Sequence, residues 1–195
     1  MTVIKNGTNG TIAEVTDENK LSVRSDTSTR EENQSDEGLR YIITSGKPDL
    51  GATFDGGVLW FKNTDPSRHF HVTRIVLGWN GGDTNHNRVS FLTGTFNSTE
   101  PTANQTTITP SNSNLASNRT ALMTAYKWDG VGTAGLTTTG GVGGAVNVVA
   151  QGENPIQLGG ALILPVGSTF EAKITVEEAG VFSITIAGYY EDVES

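Results

Sequence analysis

The sequence predicts an all-β protein, an antiparallel jelly-roll-like β-sandwich with an N-terminal arm that carries a β-hairpin. Three observations lead there. The chain has 24 glycines set among long Thr-, Asn- and Ser-rich stretches, and only 35% of it is hydrophobic. β-Branched Thr suits a pleated strand, while Gly and Asn supply the positive φ that tight turns need. Short apolar runs recur between turn signals, about eight of them, the strand number of a jelly roll. Near the C-terminus Phe170, Ala172, Ile174 and Val176 alternate with Glu171, Lys173, Thr175 and Glu177, the period of a strand with one face in water.

Residues 1–38 read as the arm and residues 39–195 as the sandwich. In the arm, residues 11–15 and 21–24 flank the turn Asp17-Glu18-Asn19-Lys20 and form a hairpin. Ile12, Val15, Leu21 and Val23 give it a small apolar patch, read as an assembly surface because a lone two-stranded hairpin is marginal in water. Residues 26–38 are almost wholly polar and show no periodicity, so no element is expected there.

In the sandwich, residues 40–43 are the first strand. Residues 58–63 form a second, ended by Asp65-Pro66-Ser67, and residues 70–79 a long third that closes on Gly81-Gly82. Residues 89–92 follow. Residues 93–119, with Pro101 and Pro110, and residues 130–144 read as long surface loops too polar for a core. Between them, residues 116–128 are the one place for a helical turn. Strand 170–176 and the alternation of Phe182, Ile184 and Ile186 are expected to pair as a hairpin through Gly180.

Charge and composition narrow the function. The formal net charge is −8, with a pI of about 4.8. Binding to nucleic acid or to an anionic membrane needs a cationic surface, so neither partner is expected. Cysteine is absent, which removes disulfides and thiolate chemistry. Residues 1–6 lack the charged and apolar regions of a signal peptide, and no apolar run reaches membrane-spanning length, so synthesis in a cytoplasm without secretion is expected. The Asn-x-Thr triplets at Asn6, Asn9, Asn97, Asn104 and Asn118 are then products of composition.

The chemical motifs are weak. His69 and His71 lie two apart on one strand and share a face, but spacing provides no carboxylate or third ligand beside them; His86 sits in the following loop. A metal would need three copies of one histidine around a trimer axis. Asp83-Thr84-Asn85-His86-Asn87 opens like a calcium loop, then fails with Arg88 at the sixth position and Gly94 at the twelfth. Gly141-Val142-Gly143-Gly144 lacks the preceding buried strand and following helix of a nucleotide loop. No catalytic, metal or cofactor-binding residue is therefore assigned. Trp60, Phe61, Trp79, Trp128, Tyr189 and Tyr190 read as core or interface, with a sugar-stacking platform as the alternative.

The order of segments resembles a family of tailed-bacteriophage virion structural proteins. The hairpin pattern falls on Ala13, Val15, Asn19, Leu21 and Val23, followed by Tyr41-Ile42-Ile43-Thr44-Ser45-Gly46. Next come Leu59-Trp60-Phe61-Lys62-Asn63, a charged turn, and the strand from Val72 to Gly78. The chain ends on Leu164-Pro165-Val166-Gly167-Ser168 and Gly188-Tyr189-Tyr190-Glu191. The resemblance implies a β-sandwich on the outside of head, neck or tail, without enzyme activity or cofactor. Its partners would be the major capsid protein or portal and neck proteins. Self-association, with a homotrimer expected as for jelly-roll coat proteins, follows from the prevalence of symmetric assembly. The alternative function is a receptor-binding module that holds a host glycan.

Overall fold

A computed structural model describes residues 3–5, 12–15, 21–24, 30–81, 89–143, 146–148, 152–176 and 179–193. They fall into two compact units, Met1–Asn33 and Gln34–Ser195. In the first unit β1 (Val3–Lys5), β2 (Ile12–Val15) and β3 (Leu21–Arg24) form an antiparallel sheet in that order. β2 and β3 are the two strands read as a hairpin; β1 is an addition. Their register pairs Val15 with Leu21 and Ala13 with Val23, whereas Ile12 pairs with Arg24.

Residues 26–38, expected to lack any element, contain helix α1 (Arg30–Asp36). Arg30, Glu31, Glu32 and Gln34 are good helix formers, and the two glutamates suit the positive end of the helix dipole. Gly38 ends the helix in the left-handed region (φ 71°), with Gly38 N–H donating to Ser35 O and Leu39 N–H to Gln34 O. The boundary between units lies inside this helix, ahead of Gly38.

The second unit is an all-β sandwich. Its strands are β4 (Arg40–Thr44), β5 (Asp49–Leu50), β6 (Asp55–Asn63), β7 (Arg68–Gly81), β8 (Val89–Phe96), β9 (Gln105–Thr107), β10 (Ser111–Asn112), β11 (Met123–Trp128), β12 (Val142–Gly143), β13 (Val146–Val148), β14 (Gly152–Leu164), β15 (Thr169–Thr175) and β16 (Gly180–Asp192). Sheet I runs β10-β4-β16-β7-β14, with β5 also on β16; sheet II runs β12-β8-β15-β6-β11-β9, with β13 also on β8. Every strand pairing is antiparallel.

Several expectations are corrected here. β15 and β16 are not a hairpin: β15 pairs with β6 and β8 in sheet II, β16 with β4, β5 and β7 in sheet I. Alternation reports which face is buried, and both strands bury theirs against the same core from opposite sides. Residues 93–119 and 130–144 are not plain loops, since they supply part of β8, all of β9, β10 and β12, and buried Pro101, Pro110 and Leu136. Residues 116–128 hold β11 and no helix, because main-chain pairing with β6 sets that segment's conformation. β14 was not foreseen; its Pro155 and the register shift between Gln157 and Leu162 break the alternation.

The core is organised by aromatic rings. Phe96, Phe170 and Phe61 succeed one another across β8, β15 and β6 of sheet II, with ring centroids 6.3 and 5.1 Å apart. Phe61 meets Phe70 of sheet I edge-on at 6.0 Å, and Phe70, Tyr190 and Tyr41 continue across β7, β16 and β4 at 5.1 and 5.7 Å. Arg68 lies 5.1 Å over the Tyr190 ring. Such pairs contribute about 0.5–1.5 kcal/mol each beyond the apolar area they bury.

The chain passes from sheet II to sheet I beside this row, at the corner between β6 and β7. Asn63 Nδ2 donates to Arg68 O (2.9 Å) and Leu164 O (3.1 Å), and Asn63 Oδ1 accepts from Asp65 N–H (3.0 Å). The fully buried Asp65 carboxylate accepts from the backbone N–H of Ser67 and Arg68, the Ser67 hydroxyl and Arg68 Nε (2.7 Å). Asn63 N–H donates to Ser168 O and Gly167 N–H to Asn63 O, which ties this corner to the β14–β15 turn.

Burial pushes the Asp65 carboxyl upward, but the Arg68 and Ser67 hydrogen bonds outweigh it and hold the group below its ordinary value. A folded-state pKa below the unfolded one adds stability that is complete above the unfolded value and disappears as pH falls through the folded one. Asp65→Asn should therefore cost about 3 kcal/mol at neutral pH, the scale for breaking a buried ion pair. It should also flatten the loss of stability below pH about 4. Urea denaturation of both proteins across the acid range checks this.

Candidate functional site

The outward face of sheet II carries the one buried carboxylate in the described sandwich that lies outside a turn. Glu171 of β15 is opposite Trp60 of β6 in the register, and both are fully buried. This corrects the reading of the Glu171 face as wet. The cover comes from two segments far apart in sequence. Residues 98–104 and 134–139 pair with each other: Thr99 N–H donates to Thr139 O (2.8 Å), Thr139 N–H to Thr99 Oγ1 (2.8 Å), and Thr102 N–H to Thr137 O (3.1 Å). Asn104 Nδ2 donates to Ala134 O and Gly135 O. Leu136 N–H donates to Gly57 O (2.8 Å) and so fastens this cap to β6.

Close backbone approach makes the cap possible. A Cβ on Gly135 would stand 2.5 Å from Gly57 N, and one on Gly57 would stand 2.5 Å from Glu171 Oε1. These glycines are absences of side chain that let the cap and the carboxyl approach β6. Beneath the cap Thr138 Oγ1 lies 2.8 and 2.9 Å from the two Glu171 oxygens. Ser98 also hydrogen-bonds Glu171, and its Oγ accepts from Trp60 Nε1 at 2.9 Å. Lys173 Nζ is 3.6 Å from Glu171 Oε2. Trp60 packs on Tyr126, ring centroids 5.7 Å apart, and Tyr126 OH donates to Glu100 Oε1 at 2.6 Å. Burial pushes the Glu171 carboxyl up, against the opposing pull of Thr138, Lys173 and Ser98; the bond to Glu100, then burial, raises the Tyr126 phenol. The cluster can hold a proton at Glu171 and tie a cap to a sheet.

The residues singled out in the sequence lie elsewhere. His71 Nε2 is 3.2 Å from Glu191 Oε2, and its ring stacks on Tyr189 at 5.1 Å; the carboxylate that spacing did not supply comes from β16. Among the described residues no group of three or more His, Asp, Glu or Cys side chains converges. His86 and the segment from Asp83 to Asn87 lie outside the described residues. Val142 and Gly143 pair with Phe96 and Thr95 of β8, and Gly144 lies outside the described residues. Ile12, Val15, Leu21 and Val23 occupy β2 and β3. Trp60, Phe61, Trp79, Trp128, Tyr189 and Tyr190 are all buried. Glu171, Ser98 and Thr138 carry no motif, and only the cross-strand register and the loop pairing bring them together.

Comparison with models of protein families, with curated proteins and with solved structures finds no match.

Removing the Thr138 hydroxyl leaves a buried carboxyl short of a partner, which costs about 1–3 kcal/mol. Thr138→Val should lower stability by that amount, whereas Thr138→Ser should stay within about 1 kcal/mol of the parent. Guanidinium unfolding of the three proteins measures the difference.

Proposed function

We propose that the chain is a structural component of a bacteriophage virion, decorating or cementing the outside of the capsid or of the neck and collar through protein–protein contacts. The observation that carries this is the winding of the sandwich. Taking β4, β6, β7, β8, β13, β14, β15 and β16 as principal strands in chain order, sheet I contains the first, eighth, third and sixth side by side. Sheet II contains the second, seventh, fourth and fifth. We read this order as jelly-roll winding, an architecture that recurs in viral coat proteins and also in lectins. β9, β10 and β11 are additions to the sheet edges.

Two further features favour contacts with protein over contacts with sugar. Where burial is described, no Phe, Tyr or Trp side chain is exposed, whereas stacking on a glycan uses an open ring. The exposed large hydrophobic side chains are aliphatic instead, among them Leu122, Val166, Val193 and Leu115, the last 97% exposed. Leu122, Val166 and Val193 sit around the β6–β7 corner, since Thr64 N–H donates to Leu122 O, Gly167 N–H to Asn63 O and Val193 N–H to Ser67 O. Single aliphatic contacts are weak, and repetition over a symmetric assembly sums them.

Antibody labelling of purified particles from cells that produce the protein tests the reading. The expected result is label at regular positions on the particle exterior, with the isolated protein trimeric by light scattering. Particles purified to constant composition that lack the protein would overturn it.

A further inference from the structure

The edge of a sheet presents unpaired N–H and C=O groups on which another chain can add a strand. Among the described residues of the sandwich, most edges are short. Sheet II ends on β9, β12 and β13, of three, two and three residues, and one side of sheet I ends on β5 and β10, of two each. The other side of sheet I ends on β14, which is 13 residues long and pairs there with β7 alone. A free edge of that length is a template for a neighbouring copy unless its backbone is altered.

The direction of each backbone group in β14 follows from the ladder. Ile184 N–H donates to Ser45 Oγ and Ile184 O accepts from Ser45 N–H, so residue 184 of β16 faces the β4 side. Successive residues of an antiparallel strand turn their N–H and C=O to opposite sides. Ser183 and Thr185 therefore face β7, where their partners are Gly78 and Val76. Leu77 and Ile75 then face β14, and their partners Asn154 and Ile156 face back toward β7. Glu153, Pro155 and Gln157 are left with their backbone groups toward the free edge. Proline fits a sheet only where its nitrogen is turned away from the ladder. Pro155, whose side chain is exposed, stands at such a position and removes the middle one of three outward donors.

Beyond Gln157 the edge is interrupted a second time. Gln157 pairs with Arg74 and Leu162 with Val72, so residues 158–161 stand opposite Thr73 alone. Thr73 is unmatched on its other side too, where Ala187 pairs with Arg74 and Gly188 with Val72, and its hydroxyl donates to Ala187 O at 3.2 Å. The irregularity thus runs from β16 through β7 to the edge and is anchored inside the sheet. An incoming strand could follow residues 152–157 or 162–164 but not both in one register, and the first stretch lacks its central donor. We infer that the β14 edge is closed to strand addition, so that copies of this chain meet one another through side-chain surfaces and not through a shared sheet. This guarding follows from the ladder alone and does not depend on a place in a virion.

Amide hydrogen exchange on the full chain tests this, at a concentration where its mass by light scattering no longer rises. Asn154 and Ile156 N–H, in the ladder with β7, should be protected. Glu153 and Gln157 N–H should exchange at least about tenfold faster after correction for intrinsic rates. Equal protection of the outward and inward amides would mean that the edge is paired, and would overturn the inference. A second arm removes the guards. Pro155→Thr restores the missing donor, and deletion of residues 159–161 restores one-to-one pairing past Thr73. The combined variant, folded by circular dichroism, should reach about twice the parent's mass or more as copies pair edge to edge. A folded combined variant that keeps the parent's mass at every concentration would also overturn the inference. Should that variant not fold, the exchange pattern of the parent decides.

Discussion

The sandwich depends on the passage from β6 to β7, where one chain leaves sheet II and enters sheet I within a few residues. Phe61 and Phe70, on either side of that passage, meet edge-on and join the aromatic rows of the two sheets into one. The turn between them cannot be filled by apolar side chains, because its backbone groups have left both ladders. Asn63 and Asp65 supply the missing partners from inside. Asn63 also reaches Leu164, so the same side chain fixes where β14 ends and β15 begins. Strand direction, sheet spacing and the joining of two corners thus follow from one short polar segment set against aromatic packing.

The same logic explains the outer face of sheet II. A sheet face left open to water tolerates a glutamate anywhere along its strand; Glu171 is buried because cap segments far along the chain settle over it. Gly57 and Gly135 permit that approach, and Thr138, Ser98 and Trp60 Nε1 keep polar groups paired beneath it. A buried, paired carboxyl at that point joins the loops to the fold. The loops are therefore part of the architecture, a third layer hydrogen-bonded to the sheet.

Much of the strand content was legible from the sequence because it is written in local periodicity. β4, β6, β7, β15 and β16 each present an apolar residue at alternate positions or an aromatic run closed by a turn, and each lies where the pattern places it. Partner choice is not local, and so the alternation of residues 170–186 read as a hairpin when its halves belong to different sheets. β14 escaped because Gly152, Pro155 and Gly159-Gly160 interrupt its alternation. Helix α1 escaped because it is short and has no apolar stripe, its end being set by Gly38. Of the site, Trp60 stood out as an aromatic, whereas Glu171 looked like any solvent-facing glutamate. The residues that bury it are 33 positions away at Thr138, a distance no short motif spans.

The two sheets are locked to each other through the Phe61–Phe70 contact beside the β6–β7 corner. A double-mutant cycle with Phe61→Leu, Phe70→Leu and the pair, read by urea unfolding, measures it directly. The coupling energy should be about 1 kcal/mol, the scale of an edge-to-face aromatic pair in a closed core. Additivity of the two single changes to within about 0.3 kcal/mol would contradict it.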